Sequence, residues 1–169
     1  MPYTPILATL GYILNADKTQ ALLIHRNTRP GDLHLGKYNG LGGKLEREED
    51  VVSGMRREIR EEAGIDATKL ALRGTVNWPG FGKNGEDWLG FIFLITEWAG
   101  APLTKNDEGT LEWVAVSKIL RACDDPSMLP MWPGDKYFLP LVFGDDPRQF
   151  HGVMPYRDGQ PIGWQMAWV

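Results

Sequence analysis

Glu49, Arg57, Glu58, Glu61 and Glu62 place oxygen ligands and a fixed cation within one short stretch of chain. At about 100° per residue in a helix, Glu58 and Glu62 lie one turn apart on one face, with Glu61 beside them. Val52, Met55 and Ile59 fall on the neighbouring flank, so the segment has an apolar side and a carboxylate side. Acids near a helix C-terminus repel one another and oppose the macrodipole, at a cost of roughly 0.3–1 kcal/mol each. Arg57 can neutralise only part of that charge. A hard divalent cation with oxygen ligands, Mg²⁺ with Mn²⁺ as its substitute, is the expected partner. A solvated acidic face is the other reading of a Glu-rich helix.

Several elements must position these groups. The helix belongs to the stretch Gly43 to Ile65, and Gly64 suits the position just past its end, where φ is usually positive. Upstream, Lys37 to Lys44 (KYNGLGGK) is glycine-rich, so its backbone can approach a phosphate or metal closely. The apolar runs Ile6 to Leu14 and Ala21 to Arg26 flank a turn and predict a hairpin. Thr9, its polar interruption, is carried as a candidate pocket residue against an ordinary strand Thr. His25 and Arg26 read as a surface strand end, and His34 as an exposed loop residue. Leu70 to Trp78 and Trp88 to Trp98 predict strands around the loop PGFGKNGED, a candidate rim in which Asp87 and Trp88 could border a ligand. Ser117 to Ala122 predicts a short helix capped by Ser117, and Phe150 to Val169 a hairpin about RDGQ with His151 structural.

The spacing within Gly43 to Ile65 fits G-x5-E-x7-R-E-U-x-E-E-x-G-U, with U aliphatic, at every fixed position. At background residue frequencies such a match arises by chance with a probability on the order of 10⁻⁷ or less. The chain therefore resembles the Nudix hydrolases. KYNGLGGK further resembles the W-N-G-F-G-G-K segment of their MutT-like branch, the oxidised purine nucleoside triphosphate (8-oxo-dGTP) diphosphatases, with Tyr38 in place of Trp. Met131 to Leu141 (MWPGDKYFLPL) is similar to that branch's M-W-P-D-D-S-Y-W-F-P-L.

The resemblance implies a role for each matching position. Metal binding falls to the Gly42 carbonyl, Glu58, Glu62 and, in an acidic segment before a strand, Glu108; Glu61 is a further ligand or the base. Arg57 orients the acids and pairs with Glu49. Base recognition falls to Asn39 and Asp135, with Trp132 stacking on the purine. Gly134 stands where the branch has a second Asp, which implies a narrower preference for guanine forms. The implied fold is an α/β/α sandwich in which a curved mixed sheet lies between helices. The implied reaction is hydrolysis of a nucleoside triphosphate to monophosphate and pyrophosphate, which sanitises the nucleotide pool and so belongs to DNA repair.

With 169 residues, 43% of them hydrophobic and 24% charged, the chain reads as one globular domain spanning residues 1–169. A net charge of −4 gives no reason to expect a nucleic-acid polymer as partner. The lone cysteine, Cys123, excludes an intrachain disulfide. No apolar run approaches the ~18 residues of a membrane span and no signal-peptide pattern opens the chain, so a cytoplasmic location, monomer or homodimer, is expected. Two other functions remain open at this point. One is Nudix hydrolysis of a different nucleoside diphosphate derivative, such as ADP-ribose or a dinucleoside polyphosphate; the other is a non-catalytic nucleotide-binding regulator.

Overall fold

A computed structural model describes residues 1–169. The strands and helices are, in chain order, β1 (Ile6–Leu14), β2 (Gln20–Arg26), β3 (Tyr38–Asn39), α1 (Val51–Ala63), β4 (Asp66–Trp78), β5 (Trp88–Ala99), β6 (Lys105–Asn106), β7 (Gly109–Ala115), α2 (Val116–Asp124), α3 (Asp135–Phe143), β8 (Phe150–Val153), β9 (Tyr156–Arg157), β10 (Gln160–Pro161) and β11 (Gln165–Trp168). The main sheet runs β11-β8-β4-β5-β1-β2-β7-β6, with β3 on β2. It is mixed, because β1 pairs with β5 and β4 with β8 in parallel while the other neighbours are antiparallel. On one face Met55, Ile59 and Ala63 of α1 pack against Ile13, Ile24 and Phe93 of the sheet. On the other, Ile119 of α2 and Phe138, Leu139 and Val142 of α3 pack against Leu23, Val76 and Ile92. These layers are the α/β/α sandwich with a large mixed sheet that the sequence implied.

The strand pairing opens the sheet where the site lies. β1 pairs with β2 only at its far end, Ile13 with Leu22 and Leu14 with Ala21. Nearer its start the glycine-rich segment takes the place of β2: Gly11 bridges Leu41 and Ala8 bridges Lys44. Gly42 makes this possible, since a Cβ there would collide with the Thr9 carbonyl. The segment then feeds α1, whose N-cap Asp50 accepts from the backbone N–H groups of Val52 and Ser53, a cap worth about 1 kcal/mol. Gly64 ends the helix at φ 70°, and its N–H bonds Arg60 O. Met55 and Ile59 are fully buried, contributing roughly 1.5–3 kcal/mol each.

Some local expectations are corrected. Val52 is exposed and Val51 packs against the core instead, because helical period fixes direction about the axis but not how far the sheet reaches beneath the first turn. The helix of Ser117 starts at Val116 after Ala115, with no side-chain cap, because strand β7 runs straight into it. β4 begins at Asp66, immediately after the α1 cap, and is longer than expected. The C-terminal hairpin is nested: β9 and β10 turn about Asp158 and Gly159, while β8 and β11 pair outside them.

Candidate active site

One end of the site is an acidic ridge on α1. Arg57 organises it: Nη2 and Nε reach Glu49 Oε1 and Oε2 at 2.6 and 3.0 Å, and Nη1 reaches Glu58 Oε1 at 2.8 Å and Glu61 Oε2 at 3.3 Å. Nη2 also donates to the Lys44 carbonyl at 3.1 Å, tying the helix to the glycine segment. The bidentate pair with Arg57 holds the Glu49 carboxyl below its usual range. Glu58 is raised, chiefly by burial. A Cβ on Gly43 would stand 2.6 Å from Glu58 Oε1, so a larger residue there would displace this carboxylate. Glu61 is the outermost acid, 59% exposed.

Glu62 sits deeper. The Gly42 N–H donates to its Oε2 at 2.9 Å, and its pKa is pushed up to about 8 by burial and then by the charges of Glu108 and Glu58. Glu108 is held by Arg26 at 3.0 Å and Arg29 at 3.4 Å. Glu58, Glu62 and Glu108 place three carboxylates near one another beside the Gly42 backbone, a fitting donor set for a hard cation. They do not form a finished cage: no three His, Cys, Asp or Glu side chains converge into a metal-binding group. Arg57 holds Glu58 and Arg26 holds Glu108, so the arginines already occupy part of this donor set.

The other end is a cavity of about 410 Å³ reached through the same glycine segment. Its wall includes Thr9 of β1, Asn39 of β3, Gly42 and Gly43, Trp88 of β5, Trp132, and Asp135 at the start of α3. Three polar atoms in it, Thr9 Oγ1, Asn39 Nδ2 and Trp88 Nε1, are buried without a hydrogen-bond partner. Such atoms are costly in a folded protein, about 1–3 kcal/mol each, and all three belong to residues of this one wall. Burial pushes Asp135 up to about 7, so near neutral pH its carboxyl exchanges between donor and acceptor. Trp132 is buried against the edge of Phe81, with ring centroids 4.7 Å apart, and Lys37 Nζ lies 4.5 Å from its ring centroid.

All the predicted site residues thus lie in two adjoining groups, the ridge and the cavity. The long loop before β5 contributes Phe81, Lys83 and Glu86 to the wall, as its rim position suggested. Asp87 instead accepts from the Gly80 N–H at 2.8 Å and braces the loop. Two readings are overturned. His34 is half-buried in the cavity wall and bonded to Trp132, not free on an exposed loop, because the loop folds back over the pocket. Arg26 is no plain strand end, since it bridges Asp32 at 2.8 Å and Glu108 at 3.0 Å with only 16% of its side chain exposed. Tyr12, Phe138 and Tyr156 also line the cavity, and the sequence reading assigns none of them a site role.

The signature helix, the layered mixed sheet and the acidic ridge together define a hydrolase class. The NUDIX domain family matches residues 5–142, and the chain belongs to the Nudix hydrolases. Within that family it is MutT-like. A crystal structure of a MutT protein from Bacillus halodurans has a TM-score of 0.78 and 27% identity, covering 95% of this chain and 97% of that one. The oxidized purine nucleoside triphosphate hydrolase of Mus musculus is 28% identical over 127 residues, 75% of this chain and 74% of the mouse protein. An uncharacterized Nudix hydrolase of Bacillus subtilis is 31% identical over 119 residues, 68% of this chain and 69% of its own length. No helix is long and apolar enough to cross a membrane.

Proposed function

We infer that this enzyme hydrolyses oxidised purine nucleoside triphosphates, 8-oxo-dGTP above all, to nucleoside monophosphate and pyrophosphate in a Mg²⁺-dependent reaction. The observation that carries this reading is the set of unpartnered polar atoms in an aromatic cavity: Thr9 Oγ1, Asn39 Nδ2 and Trp88 Nε1, beside the Asp135 carboxyl. A purine offers a flat face for Trp132 and a polar edge for Asn39 and Asp135. The mouse relative bears the name of the same activity.

The cavity meets the ridge at Gly42 and Gly43, so a base held in the cavity directs its phosphates toward the acids. Gly42, Glu58, Glu61, Glu62 and Glu108 are the residues to hold Mg²⁺. When bound, the cation draws charge from the phosphate oxygens and acidifies a water. Arg57 keeps Glu49, Glu58 and Glu61 in a fixed array, and the Gly42 N–H orients Glu62. The carboxylate that takes the water's proton acts within this array. With both Asp135 and Gly134 in the base-reading turn, the pocket has one carboxyl there, which favours guanine forms. The test is pyrophosphate release in Mg²⁺, comparing kcat/KM for 8-oxo-dGTP and dGTP. A large preference for the oxidised base is expected; equal rates, with ADP-ribose turned over faster, would reject the substrate while leaving the hydrolase.

A further inference from the structure

Trp132 is an aromatic wall of the cavity, and a residue outside every recognised motif fixes how it stands. Its indole Nε1–H, the only donor the ring has, donates to His34 Nδ1 at 2.7 Å. The two rings meet edge to face, with centroids 5.4 Å apart and planes at 82°. A ring nitrogen that accepts carries no hydrogen, so this bond defines the neutral Nε2–H tautomer of His34.

The imidazole is in turn held from behind. The His34 backbone N–H donates to Asp32 Oδ1 at 3.0 Å, and Arg26 Nε donates to Asp32 Oδ2 at 2.8 Å. Asp32 has only 7% of its side chain exposed, so this anchor is shielded from water. The Lys37 N–H closes the turn on the His34 carbonyl at 2.9 Å. Arg26 also reaches Glu108 at 3.0 Å, which moors the His34 loop to the acidic ridge. Burial lowers the His34 pKa to about 4, assisted by Arg26 and Lys37 and opposed by Asp32. The accepting form is therefore the one present at neutral pH.

We propose that His34 is a positioning residue for the nucleotide base, acting through its hydrogen bond to Trp132 to hold the indole in the plane against which the base stacks. Without that acceptor the indole N–H is a buried donor with no partner, and the ring turns to find one, removing the flat wall. The proposal rests on the reading that a base stacks on Trp132, and not on which base it is.

The experiment compares the wild type with His34→Ala, His34→Asn and His34→Gln. It uses steady-state kinetics on the best nucleotide substrate and the Trp132 indole ¹⁵N–H resonance of the ligand-free protein, assigned by Trp132→Phe. His34→Ala is expected to raise KM about five- to tenfold with kcat within about twofold, the loss of one neutral hydrogen bond. Its indole resonance shifts before any nucleotide is added. His34→Asn, whose Oδ1 can stand where Nδ1 stood, restores both the resonance and most of the KM. His34→Gln keeps the bulk but displaces the acceptor, so it behaves like Ala and serves in its place if His34→Ala does not fold. An unmoved resonance, or an unchanged KM, in the Ala or Gln variant overturns the proposal. A KM shift seen equally in 8-oxo-dGTP and dGTP, with no preference between them, would sink the oxidised-purine reading while the positioning role stands.

Discussion

The acidic ridge and the aromatic cavity adjoin, yet they are built in opposite ways. On the ridge nearly every charge is already answered, as Arg57 alone touches Glu49, Glu58 and Glu61. In the cavity Thr9, Asn39 and Trp88 each keep a buried polar atom with no partner. The ridge comes from one helix and the loop before it, with Glu108 ahead of β7; the cavity draws on β1, β3, β4, β5, α3, β9 and several loops between them. The ridge is a pre-neutralised array of carboxylates held by one arginine, whereas the cavity keeps polar atoms without partners. The ridge should therefore govern turnover and the cavity affinity.

The largest effect expected is at Glu62, where Glu62→Gln should lower kcat by about 10²-fold or more in Mg²⁺. A variant that changed only KM would break the division between the two regions. In the cavity, Asn39→Ala should raise KM by about tenfold and leave kcat within a few-fold, as removal of one ligand hydrogen bond predicts. A selective fall in kcat measured by initial rates would place Asn39 with the ridge instead.

Asp135 sharpens the comparison through pH. Its pKa is raised from 3.8 to about 7, so between those values the folded protein binds the proton that the unfolded chain has lost. Stability from this group is present below pH 3.8 and is lost as pH rises through about 7. Asp135→Asn, which cannot ionise, should flatten that part of the Tm profile in ligand-free protein; an unaltered slope would show that the carboxyl is ordinary. The smallest effect belongs to the ridge's support. Asp50→Ala removes the two N-cap bonds of α1 and should cost about 1 kcal/mol in chemical denaturation, while Ser117→Ala should cost under about 0.5.

How much could be read in advance follows the same divide. Met55, Ile59 and Gly64 declared the signature helix, because helical period and cap chemistry act between near neighbours. Val52 was misplaced because helical period gives direction about the axis but not the extent of the sheet under the first turn, where Val51 packs. Asn39, Trp132 and Asp135 were reached through resemblance alone; nothing near them in sequence announces that they share a wall. His34 and Arg26 gave almost no signal, although Asp32 lies six residues beyond Arg26 and their pairing would have hinted at a folded loop.

The sequence by itself determined the family, the helix with its Gly64 cap and the acids of that helix, because each depends on residues within a few turns of one another. Only the tertiary structure decided that Arg57 donates to Glu58 and Glu61 as well as to Glu49, that Glu108 is tied to Arg26, and which buried polar atoms remain unsatisfied. Those are properties of contacts between segments as far apart as His34 and Trp132, where burial and partner geometry arise only when the sheet opens around the glycine-rich segment.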